Sequence, residues 1–188
     1  MSSAASVGGD GSLRLFCALT LSGETLDGLV AWQATLPDGG YRAVPRENLH
    51  VTLAFLGTRP ATEVDAIAGE LAAAAAAAGP IELRESRYRE TRSVGMLVFD
   101  DTDGAAGDLA RELHGRLQRL GVYEPEARAW LPHLTVVRFR ERPRLAPPLP
   151  GLGDVAPSGA AVYLSVLRPT GAQYVVVQNF DFQKELGG

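Results

Sequence analysis

The sequence predicts an α+β fold of two lobes around a central cleft, and three observations carry that expectation. Short apolar, β-branched segments alternate with longer helix-forming ones along 188 residues. Two of the short segments, Leu49–Phe55 and Pro132–Phe139, share the pattern His-x-Thr-x, 83 positions apart. That repetition implies an internal duplication in which each lobe supplies one histidine strand to the cleft. The closing segments, Ala160–Leu167 and Gln173–Phe180, read as a hairpin turned at Pro169-Thr170-Gly171.

Each element has a local reason. Leu13–Leu21 alternates as a strand, and Cys17 falls on the same face as Leu13, Leu15 and Leu19, as a small core residue. Glu24–Thr35 reads as a helix capped by Ser22, with Pro37-Asp38-Gly39-Gly40 as the turn after it. The first histidine strand spans about Asn48–Leu56 and stops at Gly57. Thr62 then caps a helix over Glu63–Ala78, whose alanine run is strong helix former. Ile81–Tyr88 and Val94–Phe99 form neighbouring antiparallel strands, and a turn-rich break leads to a helix over Asp108–Leu120. The second histidine strand is Pro132–Phe139. Arg140–Gly159, rich in proline and glycine, reads as a loop without secondary structure that covers or borders a site. Residues 1–12 read as a flexible leader, 13–182 as one two-lobed domain and 183–188 as a tail.

Composition narrows the function classes. No apolar run approaches the ~20 residues that span a bilayer, and the leader lacks the basic and apolar regions of a secretion signal. A lone cysteine fits a reducing compartment, so the expected location is the cytoplasm. A net charge of −4 argues against an indiscriminate hold on nucleic acid backbones. Lys184 is the only lysine among 18 basic residues, and the planar arginine fork suits phosphate oxygens. Cofactor motifs are missing from the sequence: there is no Gly-x-Ser-x-Gly elbow, no phosphate-cradling Gly-x-x-x-x-Gly-Lys and no Gly-x-Gly-x-x-Gly turn. Each histidine has a threonine where a second zinc ligand would stand, so no metal or other cofactor is expected.

The repeated pair suits acid–base chemistry. In a strand, His50 and Thr52 point the same way about 7 Å apart, as do His133 and Thr135. Imidazole titrates near neutrality, so one ring can take a proton while the other gives one. The threonine hydroxyls can hydrogen-bond phosphoryl oxygens and stabilise the charge that grows on them. Cleavage of a phosphodiester uses all four groups. His114, in the third helix without a threonine neighbour, reads as an ordinary surface or boundary residue.

The motifs resemble a known family. Arg14-Leu15-Phe16-Cys17-Ala18-Leu19, Asn48 through Gly57 and Pro132 through Arg138 are together similar to the two-histidine phosphoesterase superfamily. Within it, the match is to the bacterial RNA 2′,3′-cyclic phosphodiesterases, also called 2′-5′ RNA ligases. The resemblance covers about Leu13 to Phe182. It implies pseudo-duplicated antiparallel sheets with outer helices and a cleft lined by both motifs. It also implies metal-independent opening of an RNA 2′,3′-cyclic phosphate to a 2′-phosphate. By position, His50 would be the general acid, His133 the general base, and Thr52 and Thr135 the holders of the phosphate oxygens. Arg138 is a further phosphate candidate from the resemblance, although its odd offset of five from His133 turns it to the opposite face of a regular strand. Phe16, Phe55, Arg128 and Trp130 are candidates for contacts to the base or the cleft wall. The arginines between Arg140 and Arg144 read as a solvated loop, with attraction of an RNA strand as the alternative. The expected partner is RNA or an oligonucleotide with a cyclic phosphate end, for a monomer with no membrane or obligate protein partner. A nucleotide-binding module of the same fold and a reversible 2′-5′ RNA ligase are the alternatives.

Overall fold

A computed structural model describes residues 11–169 and 171–182. The expected leader, up to position 10, and the tail lie outside the described residues. The elements run β1 (Ser12–Thr20), α1 (Gly23–Gln33), β2 (Tyr41–Ala43), β3 (Val51–Pro60), α2 (Val64–Ala77), β4 (Leu83–Glu90), β5 (Val94–Asp100), α3 (Ala105–Arg119), β6 (His133–Phe139), β7 (Asp154–Val155), β8 (Gly159–Arg168) and β9 (Gly171–Asp181). Single-turn 3-10 helices occupy Arg46–Asn48 and Ala61–Glu63. The fold class is α+β, as expected.

The strands join in one antiparallel sheet in the order β7-β4-β5-β6-β3-β1-β8-β9, with β2 beside β6. At its centre, β3 and β6 meet through a single residue pair, Val51 and Leu134. So little pairing lets the strands splay, and the sheet divides there into two lobes. Val51 and Leu134 are fully buried on the core face. Strand alternation therefore turns their neighbours His50, Thr52, His133 and Thr135 to the other face, toward the cleft. Extending the register by one residue each way sets His50 across from Thr135 and Thr52 across from His133.

The helices cross over between lobes. α1 follows β1 but packs on the other lobe, where the Trp32 ring lies 6.4 Å from that of Tyr88 on β4. α3 follows β5 but packs against β3 and α2. Leu109, Leu113 and Leu117, spaced along one face of α3, are buried with Leu15, Leu19 and Leu53 in the main core. Cys17 is fully buried there, as its strand position predicts, and burial pushes its thiol up to about 12. Ser22 caps α1 as expected, its hydroxyl accepting from the Thr25 N–H at 3.2 Å.

Several boundaries differ from the sequence expectation. Asn48 belongs to a 3-10 turn, and β3 does not stop at Gly57. It runs on to Pro60 through a bulge in which Gly57 has φ +68°, a conformation glycine adopts without strain. Thr62 does not cap α2, because the 3-10 turn intervenes and no side chain caps that helix. α3 begins three residues early because Asp101, outside the helix, accepts from the Ala106 and Gly107 N–H groups at 3.2 and 2.7 Å. β2 is held by pairing with β6 and has no sequence signal of its own.

The segment Arg140–Gly159 contains β7 and is firmly held, so it is not a structureless loop. Carboxylates of β4 bind its backbone: Glu85 accepts from Gly151 and Leu152, and Glu90 from Arg144 and Leu145. The Trp32 indole donates to the Pro148 carbonyl at 2.8 Å. These bonds draw the segment along α1 and β4, and none of its residues lines the histidine cleft.

Candidate active site

Both histidines are held in the same way. His50 Nδ1–H donates to the Asn48 carbonyl at 2.7 Å, and His133 Nδ1–H to the Leu131 carbonyl at 2.8 Å. A carbonyl only accepts, so each ring keeps its proton on Nδ1 and leaves Nε2 for chemistry. The bond always runs to the residue two positions earlier. The Thr52 hydroxyl donates to His50 Nε2 at 3.1 Å.

The threonines are followed by matched irregularities. In β3, Cys17 pairs with Ala54 while Ala18 pairs with Thr52, so Leu53 is an extra residue. In β6, Gly95 pairs with Val137 while Met96 pairs with Thr135, so Val136 is extra. Each bulge shifts the parity of the rest of its strand, and the residue three beyond each threonine returns to the cleft face. That residue is Phe55 in β3 and Arg138 in β6. The expected outward turn of Arg138 is thereby corrected: it lines the cleft with Thr135 and Thr52. Gly95 has no Cβ to collide with Val137 and the Tyr88 hydroxyl, which permits the bulge in β6.

Each bulge presents a carbonyl that takes a side-chain donor, and that of Val136 also accepts from the Val44 N–H at 2.9 Å. The crossed helices supply one each. Gln33 of α1 donates from Nε2 to the Val136 carbonyl at 2.7 Å and to the Val44 carbonyl at 3.1 Å. His114 of α3 donates from Nε2 to the Leu53 carbonyl at 2.7 Å and stacks 4.6 Å from the Tyr123 ring. His114 is thus a structural clasp. Gln33 was legible only as a polar residue on a helix face that turns out to be buried.

The cleft has a volume of about 500 Å³, and its lining includes Arg14, Phe16, Arg42, Phe55, Arg138 and Tyr174 besides the His50 motif. Among the described residues no carboxylate lines it, so its field favours anions in a chain that is acidic overall. Arg14 stacks over the Phe55 ring at 4.9 Å. His50 sits in an aromatic nest, 4.8 Å from Phe16, 5.3 Å from Tyr174 and 5.9 Å from Tyr163. Burial, with the nearby Arg138 and His133, lowers its pKa to about 4. Asn48 braces the ring from behind: its amide donates to the Ala172 carbonyl at 2.8 Å, and the Tyr174 N–H donates back to Oδ1 at 3.2 Å. Trp130 is packed, its indole N–H donating to the Thr52 carbonyl at 2.9 Å. Arg128 is exposed and does not line the cleft.

A two-lobed α+β sheet that turns two His-x-Thr pairs into one anion-attracting cleft defines the two-histidine phosphoesterases. Residues 19–92 match the family described as LigT like Phosphoesterase. The RNA 2′,3′-cyclic phosphodiesterase of Thermus thermophilus is 32% identical over 185 residues, spanning 93% of either chain. That of Escherichia coli is 29% identical over 137 residues, 72% of this chain and 77% of the other. The chain belongs to the LigT-like phosphoesterase family. The crystal structure of TT0787 from Thermus thermophilus has a TM-score of 0.78 at 27% identity, covering 92% of this chain and all (100%) of that one. Escherichia coli LigT in its apo form shares the fold at a TM-score of 0.78 and 23% identity, over 93% and 99% of the two chains. No helix among the described residues is long and apolar enough to cross a membrane.

Proposed function

We propose that this chain hydrolyses the 2′,3′-cyclic phosphate ends of RNA to 2′-phosphates without a metal, as a histidine acid–base pair. Water attacks phosphorus and gives its proton to His133 Nε2. The bond from phosphorus to the 3′ oxygen breaks, and His50 gives that oxygen a proton. Thr52, Thr135 and Arg138 hold the non-bridging oxygens as charge builds on them. Phe55, braced by Arg14, and Phe16 offer faces for the terminal base. The observation that carries this reading is the matched tautomer of two imidazoles beside paired threonines on one sheet face, at a cleft that no carboxylate lines among the described residues.

His50, with its pKa lowered to about 4, is neutral at neutral pH. The anionic cyclic phosphate favours its protonated form, so substrate binding brings the acid's proton with it. The lowered pKa of His50 by itself suits a base, so the alternative is the reverse assignment, with His50 as base and His133 as acid. A substrate with sulfur in place of the 3′ oxygen decides between them, because a thiolate leaves without a proton. If His50 is the acid, His50→Ala regains turnover on that substrate and His133→Ala does not; the opposite rescue reverses the roles. Formation of a 2′-phosphate in EDTA by the unmutated protein tests the activity and its independence of metal together.

A further inference from the structure

A second cavity, of about 590 Å³, opens at the outer edge of β4 between Arg89, Arg142, Arg144 and Glu90. β7 pairs only with Leu83 and Arg84, so the rest of that edge has no partner strand. The loop after β6 takes its place and is held there by one carboxylate. Glu90, its side chain 2% exposed, accepts from the Arg144 N–H at 3.0 Å, the Leu145 N–H at 2.8 Å, Arg142 Nε at 3.0 Å and the Tyr88 hydroxyl at 3.2 Å. The turn so fixed puts Arg144 at φ +58°, the only non-glycine residue with positive φ among those described. A left-handed backbone crowds the arginine Cβ against the following carbonyl, and strain of this kind gathers at functional sites. Three arginines line this cavity with one carboxylate, Glu90, which pairs with Arg142, and among the described residues neither Arg89 nor Arg144 has an ion pair.

The register connects this cavity to the catalytic cleft. Arg89 pairs with Met96, and Met96 with Thr135; in the next row Arg87 pairs with Val98, and Val98 with His133. Directly paired residues share a sheet face, so Arg87 and Arg89 lie on the cleft face in line with the motif of β6. One strand, β5, separates them from it, and two strand spacings make about 10 Å across the sheet. Tyr88, partly buried against the main core, and the buried Glu90 alternate with them on the opposite face. The cationic row leads away from His133 and Thr135 and ends where Arg89 meets Arg142 and Arg144.

We propose that the Arg89–Arg142–Arg144 cavity is a second anion site, which takes a backbone phosphate of the RNA chain upstream of the cyclic end. This rests on the function proposed above and narrows its substrate: the preferred one is an RNA strand, and a cyclic mononucleotide fills only the cleft. Arg87 meets the chain on its way across β5. Geometry suits the task, because a planar fork on a fixed turn engages phosphate oxygens in pairs.

The test compares the unmutated protein with an Arg89→Ala/Arg144→Gly variant. Glycine suits φ +58°, so the turn keeps its shape. Turnover is measured on 2′,3′-cyclic AMP and on a six-nucleotide RNA ending in a cyclic phosphate, over a range of salt. The expected result is a loss of about tenfold in kcat/KM on the RNA, with the slope of log KM against log salt flatter by about one. Turnover of the mononucleotide stays within about twofold. Equal loss on both substrates, or no loss on the RNA, overturns the proposal. Binding of a labelled six-nucleotide RNA with a plain 3′-hydroxyl is measured alongside and does not depend on catalysis. Should the unmutated protein turn over neither substrate, the proposed function falls, and the binding alone decides this site: weaker binding in the variant supports it, equal binding overturns it.

Discussion

The two motif strands of this molecule are the same machine part in different settings. Each has a histidine locked through Nδ1 to the carbonyl two residues back, a threonine on the same face, and a one-residue bulge just after it. A side chain from the other lobe's helix clasps each bulge. The difference lies in what the bulge delivers and what surrounds the ring. β3 presents Phe55, and His50 is nested among Phe16, Tyr163 and Tyr174. β6 presents Arg138, and no aromatic ring packs on His133 among the described residues. The two histidine positions thus match in backbone setting and differ around the ring: His50 lies in the aromatic nest, where burial and the nearby Arg138 lower its pKa, and His133 does not.

The largest test removes each half in turn. His50→Ala and His133→Ala each lower kcat/KM on a cyclic phosphate end by about a thousandfold or more, and the double variant is little worse than either. Full activity in either single variant breaks the equivalence. Next come the residues the bulges deliver. Arg138→Ala costs about 10- to 100-fold, mostly in kcat, because a charged hydrogen bond to the transition state is lost. Phe55→Ala costs less, about fivefold, and raises KM, as loss of a stacking face should. If both act on kcat alike, the two sides do not differ in role.

A subtler comparison concerns the clasps, which are crossed. Gln33→Leu, which removes the side-chain donor shared by the Val136 and Val44 carbonyls, lowers kcat/KM by about tenfold and adds little to Arg138→Ala. His114→Leu couples in the same way to Phe55→Ala, whereas His114→Gln restores the donor and the activity. The mixed pairs, Gln33 with Phe55 and His114 with Arg138, should be additive. Uniform coupling of all four pairs points to general loosening of the fold.

The smallest effect is on stability. His50 has a pKa of about 4 when folded against 6.5 for the free side chain, so the unfolded chain binds its proton more readily. Its contribution is therefore complete above pH 6.5 and lost as pH falls toward 4. The full shift corresponds to roughly 3 kcal/mol, and solvent at the mouth of the cleft reduces it to about 1–2. Denaturant midpoints between about pH 4 and 7 should fall less steeply on acidification in a His50→Phe variant; an unchanged slope refutes the depressed pKa.

Part of this architecture is written in single segments of the chain. The period of two set His50 with Thr52 and His133 with Thr135, and placed Cys17 in the core, because side-chain alternation is a property of each strand by itself. Ser22 announced its helix for the same local reason. Other features exist only once distant segments meet. Arg138 reaches the cleft because Gly95 and Val137 pair across a bulge, which the parity of β6 in isolation does not contain. Asn48 acts through β9, and β2 exists because β6 offers it an edge. The long segment after β6 is ordered because carboxylates on β4 satisfy its backbone donors. His114, ordinary by its neighbours in sequence, became a clasp because a carbonyl left over by a bulge 61 residues earlier needed a donor.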